Sequence, residues 1–272
     1  MIVGIYLSFA AIVFNEYSSL TIANRNRQVY CTKRQTTKTP QPLLIFFYGT
    51  TENATVFLDS TWYRKLPKDY IVCAPVSDIG VSHFEWHLVL TEEKDDLDLV
   101  DSLVTQLGNT IDRRQIHLMG FSAGGINVAH MAFLKPHYFA SVSIFSGGFV
   151  IEQHYTISSK LPPFLIYSGG VDDSIGLVNF ASAALRFTME VLNHSPSQIY
   201  NCVHGEGHSF PKQAQLDAVN FITNYKHVNS TFKPQGKCVY KESHIKSKPS
   251  IDPTSNAFIQ SIVYLYVLIN FI

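Results

Sequence analysis

A short motif at positions 120–124 has the residue types that a nucleophilic serine requires. Gly120-Phe-Ser-Ala-Gly124 follows an apolar run that predicts a β-strand, and it precedes an apolar stretch at 126–134 that predicts a helix. Large side chains two residues before or after the serine would collide in so tight a turn, which accounts for both glycines. The turn would raise the hydroxyl at the start of a helix, whose dipole favours negative charge. Ser122 is therefore the predicted nucleophile, and a glycine-rich turn that merely caps the helix is the alternative.

A serine hydroxyl needs a base to accept its proton and a carboxylate to orient that base. Two later loops offer these groups. The first ends in Asp172 and Asp173 after an apolar strand, and we expect Asp172 to be the orienting acid with Asp173 as the alternative. The second contains His204 and His208. His208 is the predicted general base, because His204 lies closer to the preceding strand, where a structural histidine is more common.

Negative charge develops on the substrate oxygen during attack, and backbone N–H groups can stabilise it. We expect the first such donor to be Ala123, directly after the nucleophile, and the second to be Thr50 or Thr51 in the loop after the strand at 42–48. Tyr48 and Trp86 are candidates for the wall of a substrate pocket. Packing at the edge of the domain is the alternative for the tryptophan.

The elements that must position these residues follow an alternating pattern of strands and helices. Short apolar runs predict strands at 19–23, 27–32, 42–48, 70–74, 115–119, 140–145, 163–167 and 198–203. Apolar residues at helical spacing predict helices along 97–107, 177–191 and 211–225. The chain order Ser122, Asp172, His208 is that of α/β-hydrolases. The sequence thus predicts an α/β fold of this class, a mostly parallel sheet with helices on both faces.

Composition limits the possible partners. The chain has 21 Lys plus Arg and 21 Asp plus Glu residues, so no overall charge attracts nucleic acid. The order H-x-E-x-H at 83–87 differs from the zinc motif H-E-x-x-H, and we expect neither a metal nor another cofactor. The predicted partner is an ester substrate, and the sequence does not define an oligomeric state.

Four cysteines stand at widely spaced positions, without a C-x-x-C pair. Three pairings are possible, and we favour Cys31 with Cys73 and Cys202 with Cys238. Four buried thiols in a cytosolic enzyme are the alternative.

The two ends of the chain indicate a secretory route. Residues 1–18 are a predicted signal peptide, 19–236 the catalytic domain, 237–257 a polar segment and 258–272 an apolar tail. The tail is either a GPI signal or a short membrane anchor, and a docked terminal strand is the alternative. Three sequons begin at Asn53, Asn193 and Asn229. We therefore expect a secreted, glycosylated protein with possible attachment to a membrane through its C-terminal tail.

The region 19–225 resembles the poly(3-hydroxybutyrate) depolymerase and feruloyl esterase family of α/β-hydrolases. The likeness is carried by the segments 42–49, 95–100, 120–142, 168–173 and 205–208. It implies metal-independent hydrolysis of feruloyl, acetyl or polyester-type esters through an acyl-enzyme on Ser122, with Asp172 and His208 as acid and base. Tyr48 and Ser168 stand where this family usually has histidine before glycine.

Other functions are compatible with the same residues. A lipase, a thioesterase or a serine peptidase can use the same scaffold, because fold and catalytic residues do not select the acyl group. A catalytically inactive binding module is the alternative from another class, although all three residue types of the site are present.

Overall fold

The computed structural model describes residues 17–22, 27–32, 39–50, 52–59, 62–77, 86, 95–156, 160–194, 198–225, 232–234 and 236–241. The predicted signal peptide lies outside this part of the chain except for its last two residues. The apolar tail at 258–272, the sequon at Asn229 and the H-x-E-x-H residues other than Trp86 lie outside it as well.

One large sheet organises the described residues. Its strands are β1 Tyr17–Ile22, β2 Arg27–Thr32, β3 Gln41–Phe47, β4 Ile71–Pro75, β5 Ile111–Phe121, β6 Ser141–Phe145, β7 Phe164–Ser168, β10 Ile199–Val203 and β11 Lys237–Lys241. The order across the sheet is β1-β2-β4-β3-β5-β6-β7-β10-β11. The six strands from β4 to β10 pair in parallel, while β1, β2 and β11 join the two edges in antiparallel pairs. A separate hairpin consists of β8 Ser174–Ile175 and β9 Val178–Asn179.

Helices cover both faces of the sheet. They are α1 Ala54–Asp59, α2 Asp95–Leu107, α3 Ala123–Leu134, α4 Phe180–His194 and α5 Lys212–Asn224. Phe46 of β3 stacks on Phe57 of α1, and Tyr167 of β7 donates a hydrogen bond to Asp217 of α5 on the same face. Helices α2, α3 and α4 pack on the opposite face. The predicted mostly parallel sheet with helices on both faces is confirmed, and its inner strands are buried on both sides.

Three details differ from the sequence-based expectation. Helix α4 begins at Phe180, so Leu177 lies before it, and both Leu177 and Leu185 of the predicted apolar stripe are exposed. Strand β1 already starts at Tyr17, within the segment assigned to the signal peptide. The sheet also continues past residue 236, because β11 pairs with β10. The alternating exposure of a short edge strand gives a weaker signal than the buried strands do.

Disulfides connect the antiparallel strands at both edges of the sheet. Cys31 faces Cys73 across β2 and β4, and Cys202 faces Cys238 across β10 and β11. Each pair is bonded, so the favoured pairing is confirmed. The covalent links hold the edge strands to the parallel core that carries the site.

A buried polar network braces the helix that follows Ser122. Asn127 of α3 donates to Asp96 of α2 at 2.9 Å, and the same carboxylate accepts from Arg27 of β2 at 2.7 Å. Burying an ion pair costs desolvation free energy that hydrogen bonds must offset. The bonds to Asn127 and Arg27 supply this compensation, and they fix the position of α3 relative to α2 and β2.

Candidate active site

The predicted turn at Ser122 is formed between β5 and α3. Ser122 adopts φ 55° and ψ −121°, a backbone conformation that L-residues rarely adopt. Its N–H donates to the carbonyl of Phe145 at 2.9 Å, which ties the turn to β6. A Cβ on Gly124 would lie 2.0 Å from the carbonyl oxygen of Phe47, and one on Gly120 would lie 2.3 Å from that of Gly124. Both glycines of the motif are therefore required by close backbone contacts.

Three side chains from separate loops meet beside this turn. The hydroxyl of Ser122 donates to Nε2 of His208 at 2.9 Å. On the other side of the imidazole, Nδ1–H donates to Oδ1 of Asp173 at 2.8 Å. This arrangement requires the tautomer with its proton on Nδ1, which leaves Nε2 as the acceptor. The structure thus joins Ser122, His208 and Asp173 in one hydrogen-bonded chain, called the relay below.

The acid of the relay is Asp173, so the assignment of Asp172 is corrected to the alternative. The N–H of Asp173 donates to the carbonyl of Gly170 at 3.1 Å, and this turn directs its side chain into the protein. Its second carboxylate oxygen accepts from the N–H of Gly169 at 2.7 Å. Asp173 is fully buried, whereas Asp172 is exposed. Two adjacent carboxylates in one turn point in different directions, and their spacing in the sequence cannot select between them.

The acid and base loops touch through their backbones. Gly207 N–H donates to the carbonyl of Gly169 at 3.2 Å. A Cβ on Gly169 would lie 1.8 Å from the carbonyl oxygen of Gly207, so any larger residue at position 169 would push the loops apart. This contact sets the separation of Asp173 and His208, because each lies within four residues of it.

Two aromatic rings that were not among the predicted site residues enclose the imidazole of His208. The ring centroid of Phe180 lies 4.4 Å from that of His208, and the centroid of Phe121 lies 5.1 Å from it. Phe180 is the first residue of α4, and Phe121 immediately precedes the nucleophile. The available signals were the apolar residue next to the motif serine and the phenylalanine in the first turn of the helix predicted at 177–191. The two rings restrict the imidazole to orientations that keep Nε2 near Ser122.

His204, the alternative base, has a different role. Its backbone N–H donates to the carbonyl of Ser168 at 3.1 Å. Its ring nitrogen Nδ1 accepts from the backbone N–H of Glu206 at 3.1 Å. Burial lowers the pKa of His204, with a partly opposing effect from the Asp173 and Glu206 carboxylates. These contacts stabilise the start of the base loop.

The predicted oxyanion donors belong to the start of α3 and to the loop after β3. Ala123 is the first residue of α3, where a backbone N–H has no intrahelical acceptor. A Cβ on Gly49 would lie 3.1 Å from Cβ of Ser122, so the loop after β3 contacts the nucleophile. Gly49 donates its N–H to the carboxylate of Glu52 at 3.1 Å, while Glu52 N–H closes a turn onto the Gly49 carbonyl at 3.2 Å. This turn contains Thr50; Thr51 lies outside the described residues.

Tyr48 and Trp86 are core residues rather than the predicted pocket wall. Both are almost completely buried, and their rings contact each other at 4.8 Å between centroids. The carbonyl of Tyr48 accepts from Trp86 Nε1–H at 2.7 Å and from Gly124 N–H at 3.1 Å. The Tyr48 hydroxyl accepts from Ser77 N–H at 2.9 Å. The bond from Gly124 connects this aromatic pair to the turn at Ser122. The other two bonds satisfy the indole N–H of Trp86 and the hydroxyl of Tyr48.

The described part of the chain bears on metal binding and on membrane insertion. It contains no group of three or more His, Cys, Asp or Glu side chains arranged to hold a metal ion. Within the same residues, none of the helices combines the length and apolar character needed to cross a membrane.

Comparisons with known proteins agree with this geometry. The sequence model of the family described as Phospholipase/Carboxylesterase matches residues 93–226, slightly less than half of the chain, and this region includes Ser122, Asp173 and His208. No curated protein sequence matches the chain significantly.

Solved structures share the fold at low sequence identity. Native pOPH is 14% identical, with a TM-score of 0.63 over 82% of this chain and 92% of its own. An S-formylglutathione hydrolase from Agrobacterium tumefaciens is 15% identical, with a TM-score of 0.60 over 78% of this chain and 95% of its own. Esterase 2 of Thermogutta terrifontis, phosphorylated by paraoxon, is 14% identical, with a TM-score of 0.54 over 77% of this chain and 92% of its own.

The chain has the α/β-hydrolase fold. Its turn at Ser122, the acid after β7 and the histidine after β10 occupy the positions at which such proteins carry a nucleophile, an acid and a base. Together with the family match, these features support a serine ester hydrolase.

Proposed function

We propose that this protein hydrolyses carboxylic esters through an acyl-enzyme on Ser122. The observation that carries the proposal is the relay, in which both hydrogen bonds of His208 are formed at 2.8 and 2.9 Å. These distances are within the range required for proton transfer between a nucleophile and its base. The relay also lies at the carboxyl edge of the parallel strands, where α/β proteins bind their ligands.

In the first step, Ser122 Oγ attacks the ester carbonyl while Nε2 of His208 accepts the hydroxyl proton. The imidazole becomes positively charged, and the buried carboxylate of Asp173 stabilises that charge. The N–H groups of Ala123 and Thr50 are the proposed donors to the oxyanion, since Ala123 directly follows Ser122 and Thr50 lies in the turn that contacts it. His208 then protonates the leaving alcohol, which departs and leaves the acyl-enzyme.

In the second step, a water molecule takes the place of the alcohol beside His208. The imidazole accepts a proton from that water, whose oxygen attacks the acyl carbon. Collapse of the tetrahedral intermediate breaks the bond to Ser122 Oγ, and His208 returns the proton to the hydroxyl. The products are a carboxylic acid and the free enzyme, and no redox partner or metal takes part in this scheme.

The proposed substrates are feruloyl, acetyl or polyester-type esters. The resemblance of the segments 42–49, 120–142 and 168–173 to the depolymerase and feruloyl esterase family supports this choice. The aromatic rings of Phe121 and Phe180 beside His208 are also compatible with an apolar or aromatic substrate. A lipase or thioesterase would use the same relay, so substrate preference must be measured directly.

The proposal includes a secreted location with glycosylation at Asn53. The two disulfides are typical of oxidising compartments. Asn53 is exposed at the start of α1, and its side-chain oxygen accepts from Val56 N–H at 2.8 Å, which leaves the amide nitrogen available. Secreted expression followed by glycosidase treatment should lower the mass of the protein, and Asn53→Gln should reduce that shift. Recovery of a protein with four free thiols would contradict this part of the proposal.

The activity is tested with a panel of p-nitrophenyl acyl esters and methyl ferulate. We expect wild-type protein to hydrolyse at least one class of ester and Ser122→Ala to be inactive on all of them. Faster turnover of methyl ferulate than of p-nitrophenyl butyrate would support the feruloyl assignment, and hydrolysis of p-nitrophenyl butyrate without any hydrolysis of methyl ferulate would favour a general carboxylesterase. Equal hydrolysis by wild type and Ser122→Ala would contradict the proposed nucleophile.

A further inference from the structure

A small hairpin lies between Asp173 and Phe180, two residues of the site. It consists of β8 and β9, joined by the two-residue turn Gly176–Leu177. Strand β8 begins directly after Asp173, and β9 ends directly before Phe180, whose ring packs on His208. We refer to residues 174–179 as the finger.

The base of the finger is fixed on both sides. Phe180 N–H donates to the carbonyl of Asp173 at 2.8 Å, which closes the loop, and Ser174 N–H donates to the carbonyl of Asp172 at 2.9 Å. The side chain of Asn179 caps α4 by accepting from Ser182 N–H at 2.8 Å. The finger is therefore positioned by the same backbone that orients the relay.

The upper part of the finger is apolar and exposed. Ile175 is 58% exposed, and Leu177 in the turn is 63% exposed. Two-residue hairpin turns usually carry Asn, Asp or Gly, because these residues adopt the positive φ angles that such turns require. Single exposed apolar residues are common on protein surfaces, but Ile175 and Leu177 lie in one hairpin that begins directly after Asp173, so an apolar group bound there would cover both side chains.

The sheet order identifies the side of the substrate that the finger faces. The oxyanion loop follows β3 on one side of β5, whereas the finger follows β7 on the other side. His208 must protonate the leaving oxygen from this second side, so the alcohol portion of the ester lies towards β7. We propose that the finger binds the apolar alcohol portion of ester substrates through Ile175 and Leu177, an inference that rests on the proposed esterase function.

Two isomeric esters separate this role from a general preference for apolar substrates. Hexyl acetate carries its long chain on the alcohol side and ethyl hexanoate on the acyl side, and both have the same composition. Initial rates of acid release in a pH-stat, with ethyl acetate as the short reference, report kcat and KM for each ester. The variant to compare with wild type is the double substitution Ile175→Asn/Leu177→Asn.

We expect the double variant to lose about tenfold in kcat/KM on hexyl acetate, mainly through a higher KM, because the lost contact equals the burial of about two methylene groups. On ethyl hexanoate and ethyl acetate the change should stay below about twofold, because the short ethyl group on their alcohol side makes no contact with the finger that the substitutions could remove. Leu185→Asn is the matched control, because Leu185 is a similarly exposed leucine of α4. This variant should behave like wild type on all three esters.

Equal losses on both isomers would mean that the substitutions disturb the relay, and no loss on either would mean that the finger does not bind substrate. A loss confined to ethyl hexanoate would place the acyl portion at the finger. Each of these results overturns the inference while leaving the esterase assignment intact. Failure of the wild-type protein to hydrolyse any ester, ethyl acetate included, would instead remove the proposed function and the inference with it.

Discussion

His208 and His130 each place a ring nitrogen within hydrogen-bond distance of a hydroxyl group. The partner of His208 is Ser122, and the partner of His130 is Tyr155. Both imidazoles also pack against phenylalanine, with ring centroids 4.4 Å apart for His208 and Phe180 and 4.7 Å apart for His130 and Phe149. In these local contacts the two pairs are alike.

The two histidines differ in their accessibility and in the carboxylate partner of His208. His208 donates to the buried carboxylate of Asp173 and stays partly accessible at the edge of the sheet. His130 lies inside α3, and burial lowers its pKa to about 3. Burial also raises the pKa of the Tyr155 hydroxyl, which therefore remains protonated and donates to Nδ1 of His130. A contact between an imidazole and a hydroxyl becomes catalytic only when a carboxylate stabilises the charged ring and substrate can reach it.

The largest expected effect distinguishes the two histidines by activity. His208→Ala should lower kcat/KM by about 10⁴-fold or more, because Ser122 then has no base. His130→Asn should stay within about threefold of wild type, since this pair lies outside the site. The measurement is hydrolysis of the best p-nitrophenyl ester of the panel. A comparable loss in both variants would show that activity depends on His130 as well, and it would contradict the contrast between the two pairs.

The second effect concerns the carboxylate. Asp173→Asn should reduce kcat by about 10³- to 10⁴-fold, because an amide can donate to Nδ1 and thereby favour the wrong tautomer of His208. Asp172→Asn is the matched control, and its exposed side chain should leave kcat within about threefold. Thermal unfolding of both variants checks that the fold is retained. The opposite ranking would return the role of the acid to Asp172.

The third effect is on stability and concerns His130. Its pKa is about 3 in the folded protein and about 6.5 when unfolded, so between these values the unfolded chain binds a proton that the folded protein excludes. Stability therefore falls as pH falls from 6.5 towards 3, by up to about 1.4 kcal/mol per pH unit. Urea unfolding at pH 7.5 and pH 5 should show a decrease about 2 kcal/mol smaller for His130→Asn than for wild type. An unchanged decrease would mean that His130 is not buried in its neutral form.

The smallest effect removes only the hydroxyl of the second pair. Tyr155→Phe should lower the free energy of unfolding by about 1 kcal/mol at neutral pH, since Nδ1 of His130 loses its donor. Esterase activity should change by less than about twofold. Urea denaturation and the p-nitrophenyl assay measure these two quantities, and a large drop in activity without a loss of stability would connect this pair to the site.

Much of the fold could be predicted from the sequence because buried parallel strands and glycine-flanked turns leave strong local patterns. The strands at 42–48 and 163–167 and the turn at Ser122 depend on apolar runs and on glycines next to the serine. The disulfide pairing was favoured because Cys31 and Cys73 belong to early predicted strands, whereas Cys202 and Cys238 lie nearer the end of the chain.

Other features depend on contacts that no local pattern encodes. The choice between Asp172 and Asp173 is made by two backbone hydrogen bonds in a single turn. Tyr48 is buried because its carbonyl and ring meet Trp86, which comes from a distant part of the chain. The placement of Phe180 on His208 likewise results from packing between α4 and the base loop, which becomes apparent only after the chain has folded.

The most direct test of the relay is covalent labelling by a fluorophosphonate, which reacts with an activated serine. Mass spectrometry of digested wild-type protein should find the adduct on the peptide that contains Ser122, with little labelling of Ser122→Ala and much slower labelling of His208→Ala. An adduct on another serine, or equal labelling of wild type and Ser122→Ala, would contradict the account.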